Sequence, residues 1–373
     1  MDSDRRRRVR RNRYRRTAHP RDHGRDSGTS LEPPAKAYRC AVAGRSTNLA
    51  LLVLLPGAGV TGAATFLVGS GIAGFVVVVH GMVGLAGLLL VPWKSTIVRR
   101  GLRRRRSHHL MSVVLAATVL VAVATGLAHS TGTLISAAGL TALQVHVAAA
   151  LAALVPLVVH VRRRPVRFRR SDVSRRNLLR TGLLIAAASV GYATLEGLAA
   201  ALSLPGASRR ATGSYERSSG SPDGMPTTSW LLDEAPLIDP VAWRLAVRSG
   251  GTRRDWSVEE IRAVGDRASV ILDCTGGWWS RQLWSGANVS RLLPAGSRGS
   301  IEVRSATGYR RKLPLTDDLL LAVDVGGRPL SVGHGAPMRL VVPGRRGYHW
   351  VKWVTAIEHD ISPWWMESPL PLQ

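Results

Sequence analysis

Three observations in the sequence predict an all-α transmembrane bundle of about five spans followed by an α+β domain. Apolar stretches of about 20 residues recur between positions 48 and 204, the length that a bilayer core of about 30 Å requires. Arginine clusters stand beside only some of the connections between them. After position 227 the pattern turns to short alternating runs, turn residues and a capped helix, as packed strands and helices require.

Residues 1–47 read as a basic, disordered tail with arginines from Arg5 to Arg25. Spans follow at Asn48–Val68, Ile72–Trp93, Leu110–Ala128, Leu134–Val161 and Leu183–Leu204; Pro56 and Pro156 are tolerated in such helices. The net charge of +27 suits a nucleic-acid binder only if it covers one face. Here it concentrates in the tail, at Arg99 to Arg106 and at Arg162 to Arg176, all on one side of the bundle. That pattern argues for membrane lipid as a partner and against nucleic acid. The positive-inside rule then makes this a multi-pass cell-membrane protein, with its N-terminus cytoplasmic and its C-terminal domain extracytoplasmic. Cys40 and Cys274 fall on opposite sides and cannot pair.

Residues 174–180, Ser-Arg-Arg-Asn-Leu-Leu-Arg, match the twin-arginine export pattern, which carries domains across already folded. The helix after it has no obvious small-residue cleavage site and is expected to stay as an anchor. Residues 205–226, rich in Gly, Ser, Arg and Pro, read as a flexible linker.

Ionisable groups inside a bilayer are expensive and usually functional. His80 and His146 lie at similar depth in the second and fourth spans, towards the outer face. Two neutral imidazoles facing each other across a bundle can hold a haem iron. His160 falls close to the same helix face as His146, about 21 Å further in, where His108 or His109 could partner it in a second b-type haem site. His129, at the outer end of the third span, is expected to meet water. Histidines satisfied by hydrogen bonds within the bundle are the alternative.

Residues 227–366 carry the α+β domain, and 367–373 a short tail. Ala242–Arg248, Ala268–Leu272, Ser300–Val303, Arg311–Pro314 and Met338–Val342 read as strands. Ser257 with Glu260 forms a capping box for a short helix to Arg262. Val289–Leu293 and Thr316–Leu321 read as further short helices. The apolar run before Cys274 delivers that thiol onto a Gly-Gly turn. One thiolate cannot build a zinc or iron–sulfur site, but it can ligate a soft metal whose other ligands come from an organic cofactor. A buried cysteine acting as a small hydrophobe is the alternative.

The stretch from Ile271 to Leu293 resembles the molybdenum-ligating segment of the sulfite-oxidase-like molybdopterin oxidoreductases, with Cys274, Trp284, Gly286 and Leu292-Leu293 in place and Val289 at the first leucine position. His334-Gly-Ala-Pro-Met-Arg-Leu-Val-Val-Pro-Gly344, closing on Val351-Lys-Trp353, resembles a second block of that family, and Val303–Tyr309 with Leu313-Pro-Leu315 a third. The likeness covers roughly Thr227 to Trp365. It implies a molybdenum–molybdopterin cofactor with Cys274 as the catalytic metal ligand. It also implies cofactor contacts at His334, Arg339, His349 and Lys352, and at Thr228, Ser229 and Trp230 by position alone. The loop Gly347–Trp353 departs from animal sulfite oxidases and keeps only Lys352 and Trp353. The residues beyond it leave no room for an immunoglobulin-like dimerisation domain, so the smaller bacterial members, including periplasmic methionine-sulfoxide reductases, are the nearer likeness. Sulfite is therefore not implied as the substrate. The membrane half loosely resembles that of actinobacterial molybdopterin oxidoreductases and four-helix di-haem b cytochromes.

The resulting expectation is a membrane-anchored, extracytoplasmic molybdopterin-dependent oxidoreductase. It would act on an unspecified small molecule and exchange electrons with a quinone or another carrier through b-type haem. Two alternatives stay open: the same enzyme with helices that only anchor, and a non-catalytic membrane-tethered binding domain.

Overall fold

Hydropathy dictates the first half of the molecule. The computed structural model describes residues 35–69, 71–102, 110–134, 136–137, 140–229 and 233–368, with side chains from residue 44 onward except those of 100–102 and 137. The expectations for the tail to residue 34, His108, His109, Trp230 and the Cys40 side chain lie outside the described residues. Helices α1 (Ala35–Leu67), α2 (Ala73–Leu89), α3 (Val91–Leu102), α4 (Leu110–Thr131), α5 (Ala142–Arg163) and α6 (Arg175–Ala201) come first. They supply five helices long and apolar enough to cross a membrane, α2 running on into α3 as one of them.

Three boundaries differ from expectation. Helix α1 begins at Ala35 rather than Asn48, and Arg45 on it pairs with Asp172 at 2.7 Å. That bond gives the polar start of the helix a partner. Helix α5 begins at Ala142, because Thr141 and Gln144 form a capping box and β1 (Ser136–Ala137) pairs with β2 (Leu140–Thr141) just before it. Helix α6 begins at Arg175, because Ser174 accepts a hydrogen bond from the Asn177 amide as its N-cap.

The second half is built from two sheets. One holds β3 (Tyr215–Glu216), β6 (Asp266–Asp273), β7 (Trp278–Asn288), β10 (Leu320–Val325), β11 (Arg328–Pro329) and β12 (Arg339–Val341). The other runs in the order β5 (Thr252–Trp256), β4 (Leu245–Ser249), β13 (Val354–Asp360), β8 (Ser300–Ser305), β9 (Arg310–Pro314), with β4 and β13 parallel. Helix α7 (Val258–Val264) has its expected capping box and stops at Gly265 in the left-handed region. The hydrophobic core gathers Leu245, Ile261, Trp284, Leu321, Leu340 and Ile357 from both sheets.

The helix expected at Thr316–Leu321 is absent; a turn leads there into β10, which lies between β7 and β12. A short apolar run flanked by strands on both sides is buried all round, and periodicity cannot separate that from a helix.

The expected flexible linker is instead a docked strap. Arg209 pairs with Glu196 and donates to the Ser130 carbonyl. Thr212, Ser214 and Arg210 all donate to the Asp273 carboxylate. Tyr215 and Glu216 add to β7 as a parallel strand. Polar composition suggested flexibility, but each of these polar groups finds a fixed partner on the helices or the sheet.

Candidate active site

The site begins with a hairpin. Strands β6 and β7 pair antiparallel from Asp266↔Gly286 to Asp273↔Trp279, and residues 274–277 join them. The Cys274 amide donates to Trp278 O at 2.8 Å and the Gly277 amide to Cys274 O at 3.2 Å. Gly277 has φ of +87°, which a side chain would strain. The Gly276 amide donates to Cys274 Sγ at 3.3 Å and so fixes the sulfur against the turn. Cys274 is buried, at 7% exposure.

Around the thiol lies a cavity of about 70 Å³, lined among others by Thr228, Ser229, Trp278, His334, Arg339 and Lys352. Arg339 is buried; it donates to His334 O at 3.1 Å and lies over Trp284 and Trp350, while its Nε has no partner among the described residues. Burial brings its pKa down to about 10, against the pull of negative charge at Cys274. Lys352 donates to the Thr228 and Gly333 carbonyls. Burial first, then Arg339, holds its pKa down to about 7, with Cys274 and Asp233 opposing. One buried and one half-buried basic side chain with one soft thiol make a donor set suited to a polyanionic cofactor carrying a soft metal. The unpartnered Arg339 Nε points the same way, since a buried donor left unpaired is costly.

Two expected contacts behave differently. Both ring nitrogens of His334 are engaged: Nε2 donates to Met225 O at 3.0 Å, so Nδ1 accepts from Ser331 Oγ at 2.8 Å. His334 thus lines the cavity with its ring rather than with a free nitrogen. His349 does not line it. It is buried behind Tyr348, ring centroids 4.1 Å apart, because successive side chains diverge widely in the 3₁₀ turn Gly347–His349.

Sequence reasoning missed Asp273 and Arg346. The Asp273 carboxylate accepts from Arg346, Ser214, Thr212 and Arg210, and so ties the Cys274 turn to the strap and to the loop after β12. The acid directly before the cysteine was the available signal.

The comparisons with known proteins meet at this cavity. The family model described as "Oxidoreductase molybdopterin binding domain" matches residues 233–363. Mitochondrial sulfite oxidase from Homo sapiens is 26% identical over 169 residues, covering 39% of this chain and 29% of that protein. Residues 233–363 form a sulfite-oxidase-like molybdopterin-binding oxidoreductase domain. Inducible nitrate reductase [NADH] 1 from Glycine max is 30% identical over 117 residues, covering 30% of this chain and 12% of that protein. The sulfane dehydrogenase SoxCD from Paracoccus pantotrophus aligns at 23% identity with a TM-score of 0.32, over 34% of this chain and 40% of that one. This chain therefore spans less than a third of the length of the first curated relatives it matches.

The molybdopterin domain touches the helices through the same turn. A Cβ on Gly277 would lie 2.8 Å from Leu143 and 3.4 Å from His129. His129 Nε2 bonds Gly213 O at 3.0 Å, and its ring stands edge-on to Tyr215 at 5.3 Å. It was expected to meet water; it meets the domain, because the docked strap covers the end of α4.

His80 and His146 come together, with ring centroids 5.9 Å apart. His146 Nδ1 donates to Ala122 O at 2.7 Å. His80 Nδ1 lies 3.0 Å from Thr61 Oγ1, whose own proton goes to Gly57 O, so Nδ1 is the donor. In those tautomers Nε2 of each ring is left as the nitrogen a metal could take. Gly62 and Gly126 let the rings approach, since a Cβ there would meet them at 3.2 and 3.0 Å. His160 Nδ1 lies 3.0 Å from Ser112 Oγ.

Proposed function

We propose that the chain is a membrane-anchored, extracytoplasmic molybdopterin-dependent oxidoreductase that exchanges electrons with a quinone or another membrane carrier through a b-type haem held by His80 and His146. One observation carries the reading. The turn bearing Cys274 rests on α4 and α5, and those two helices also hold His146 and its carbonyl partner Ala122. A thiol suited to a two-electron centre and an imidazole pair suited to a one-electron centre therefore share one short scaffold.

The residues have separable tasks. Cys274 would ligate molybdenum, with the Gly276 amide fixing its sulfur against the turn. Arg339 and Lys352 would hold the anionic cofactor, and Thr228 and Ser229 line the same cavity. His80 and His146, with ring centroids 5.9 Å apart, would be the residues that hold the haem iron. When bound, molybdenum supplies two-electron chemistry at the substrate and haem supplies single-electron steps. The docked strap keeps the His129 contact with Gly277 in place. The matched relatives are named for sulfite and nitrate, so these oxyanions are the first substrates to assay.

Export by the twin-arginine route follows from Ser174–Arg180, although Ser174 also has a local reason as the cap of α6. Arg175→Lys with Arg176→Lys keeps the charge and should trap the domain inside; a reporter at the C-terminus that still reads outside would refute that route. The main test is metal analysis and a dithionite-reduced spectrum of the purified chain. About one molybdenum per chain with low-spin b-type bands is expected. Molybdenum without haem bands would reduce the helices to an anchor, and no molybdenum would overturn the enzyme reading.

A further inference from the structure

A second cavity, of about 230 Å³, lies on the opposite face of β6 from the thiol. Ser269, Val270, Ile271 and Asp273 border it, whereas Leu272 and Cys274 do not line it and lie in the core. Arg210, Arg281, Arg345 and Arg346 line it, the Arg345 guanidinium also lying over Trp364, with Asp273 the one carboxylate among the lining residues. Gly69, which follows α1, closes one side; a Cβ there would lie 2.4 Å from Gly344 O.

We propose that this cavity is a binding site for a tetrahedral oxyanion of the phosphate class. Arg346 carries the argument. It is 3% exposed, and one terminal nitrogen is used by Asp273 and by Ser214 at 3.2 Å. Its Nε has no partner among the described residues. Asp273 is already shared with Arg210, Thr212 and Ser214, so it cannot neutralise four guanidiniums. Burial accordingly lowers the pKa of Arg346. An unpaired buried N–H beside uncompensated positive charge is costly, and an oxyanion with several acceptor oxygens relieves both. The space exceeds that of a few waters at about 30 Å³ each. Because Gly69 lies just beyond a helix long and apolar enough to cross a membrane, the same chemistry has two sources: a phospholipid headgroup or a free oxyanion.

The test uses the full-length purified protein. Inorganic phosphate is titrated in detergent at low ionic strength, and the protein is separately placed in nanodiscs of phosphatidylglycerol or of a phosphate-free galactolipid. A saturable rise in Tm of about 3 °C at ten times the dissociation constant is expected in at least one arm. Phosphate alone giving the rise identifies a free oxyanion; phosphatidylglycerol alone giving it identifies a headgroup. Arg346→Gln breaks the Asp273 pair and risks the fold, so the control is Arg281→Gln with Arg345→Gln, which should weaken binding at least fivefold. No saturable rise in either arm, or an undiminished one in that double variant, overturns the proposal.

Discussion

The helical half and the sheet half both bury groups that prefer water, and they do so by different means. In the sheet domain, Cys274 joins the hydrophobic core while Arg339 and Asp273 are buried at cavity walls, and charge is met by charge or by an aromatic face. In the helices the outward side chains are apolar and exposed, such as Val53 and Leu183 at 71%, and the polar groups turn inward to carbonyls and hydroxyls. The solvent explains the difference. A domain in water gains by hiding apolar surface, and can offset a few buried ions with networks. A helix in lipid gains nothing by hiding apolar surface, so its interior is where polar chemistry collects.

Breaking the comparison at its chemical centres should have the largest effects. Cys274→Ser removes the soft ligand but leaves the hairpin, so molybdenum per chain should fall to background and activity by at least about 100-fold. Near-wild-type circular dichroism should accompany that loss; full activity would dismiss Cys274 as the ligand. His146→Ala should erase the b-type bands in the reduced spectrum while molybdenum content stays unchanged. Should the bands persist, the iron ligands lie elsewhere.

Smaller effects sharpen it. Asp273→Asn leaves Arg346 buried without its counter-ion, and should cost about 3 kcal/mol in denaturant unfolding of the domain. A cost under about 1 kcal/mol would mean that the network is not needed to hold the strap. Tyr215→Phe loses the bond to His129 O at the junction of the two halves, worth about 1 kcal/mol. If the two halves are coupled, it should also slow reduction of the haem by reduced domain in stopped flow. The smallest effect is on pH dependence. Lys352 is held down to about 7 in the fold, against an ordinary 10.5. Between those values the unfolded chain binds a proton that the folded one does not, so stability of the cofactor-free protein should rise with pH across that window. Lys352→Met should flatten the rise in Tm; an identical slope in both proteins would contradict the assignment.

Much of this was legible in the chain. Hydropathy alone located the five helices long and apolar enough to cross a membrane, because length and composition are local properties. The Ser257–Glu260 capping box was readable because both partners lie within one turn. The segment around Cys274 was readable because a hairpin is local. By contrast, the strand from Leu320 read as helix, and the strap read as flexible. Both depend on distant partners: β7 and β12 for the first, Asp273, Glu196 and Ser130 for the second.

By itself, the sequence determined which residues must leave water, where the long apolar helices lie and which side chain offers a soft ligand, since these follow from local composition and spacing. The tertiary structure alone decided that His80 meets His146, that His129 meets the Cys274 turn, and that four arginines line a cavity behind it. Those are juxtapositions across tens to hundreds of residues. They arise from packing, which no periodicity within one segment encodes.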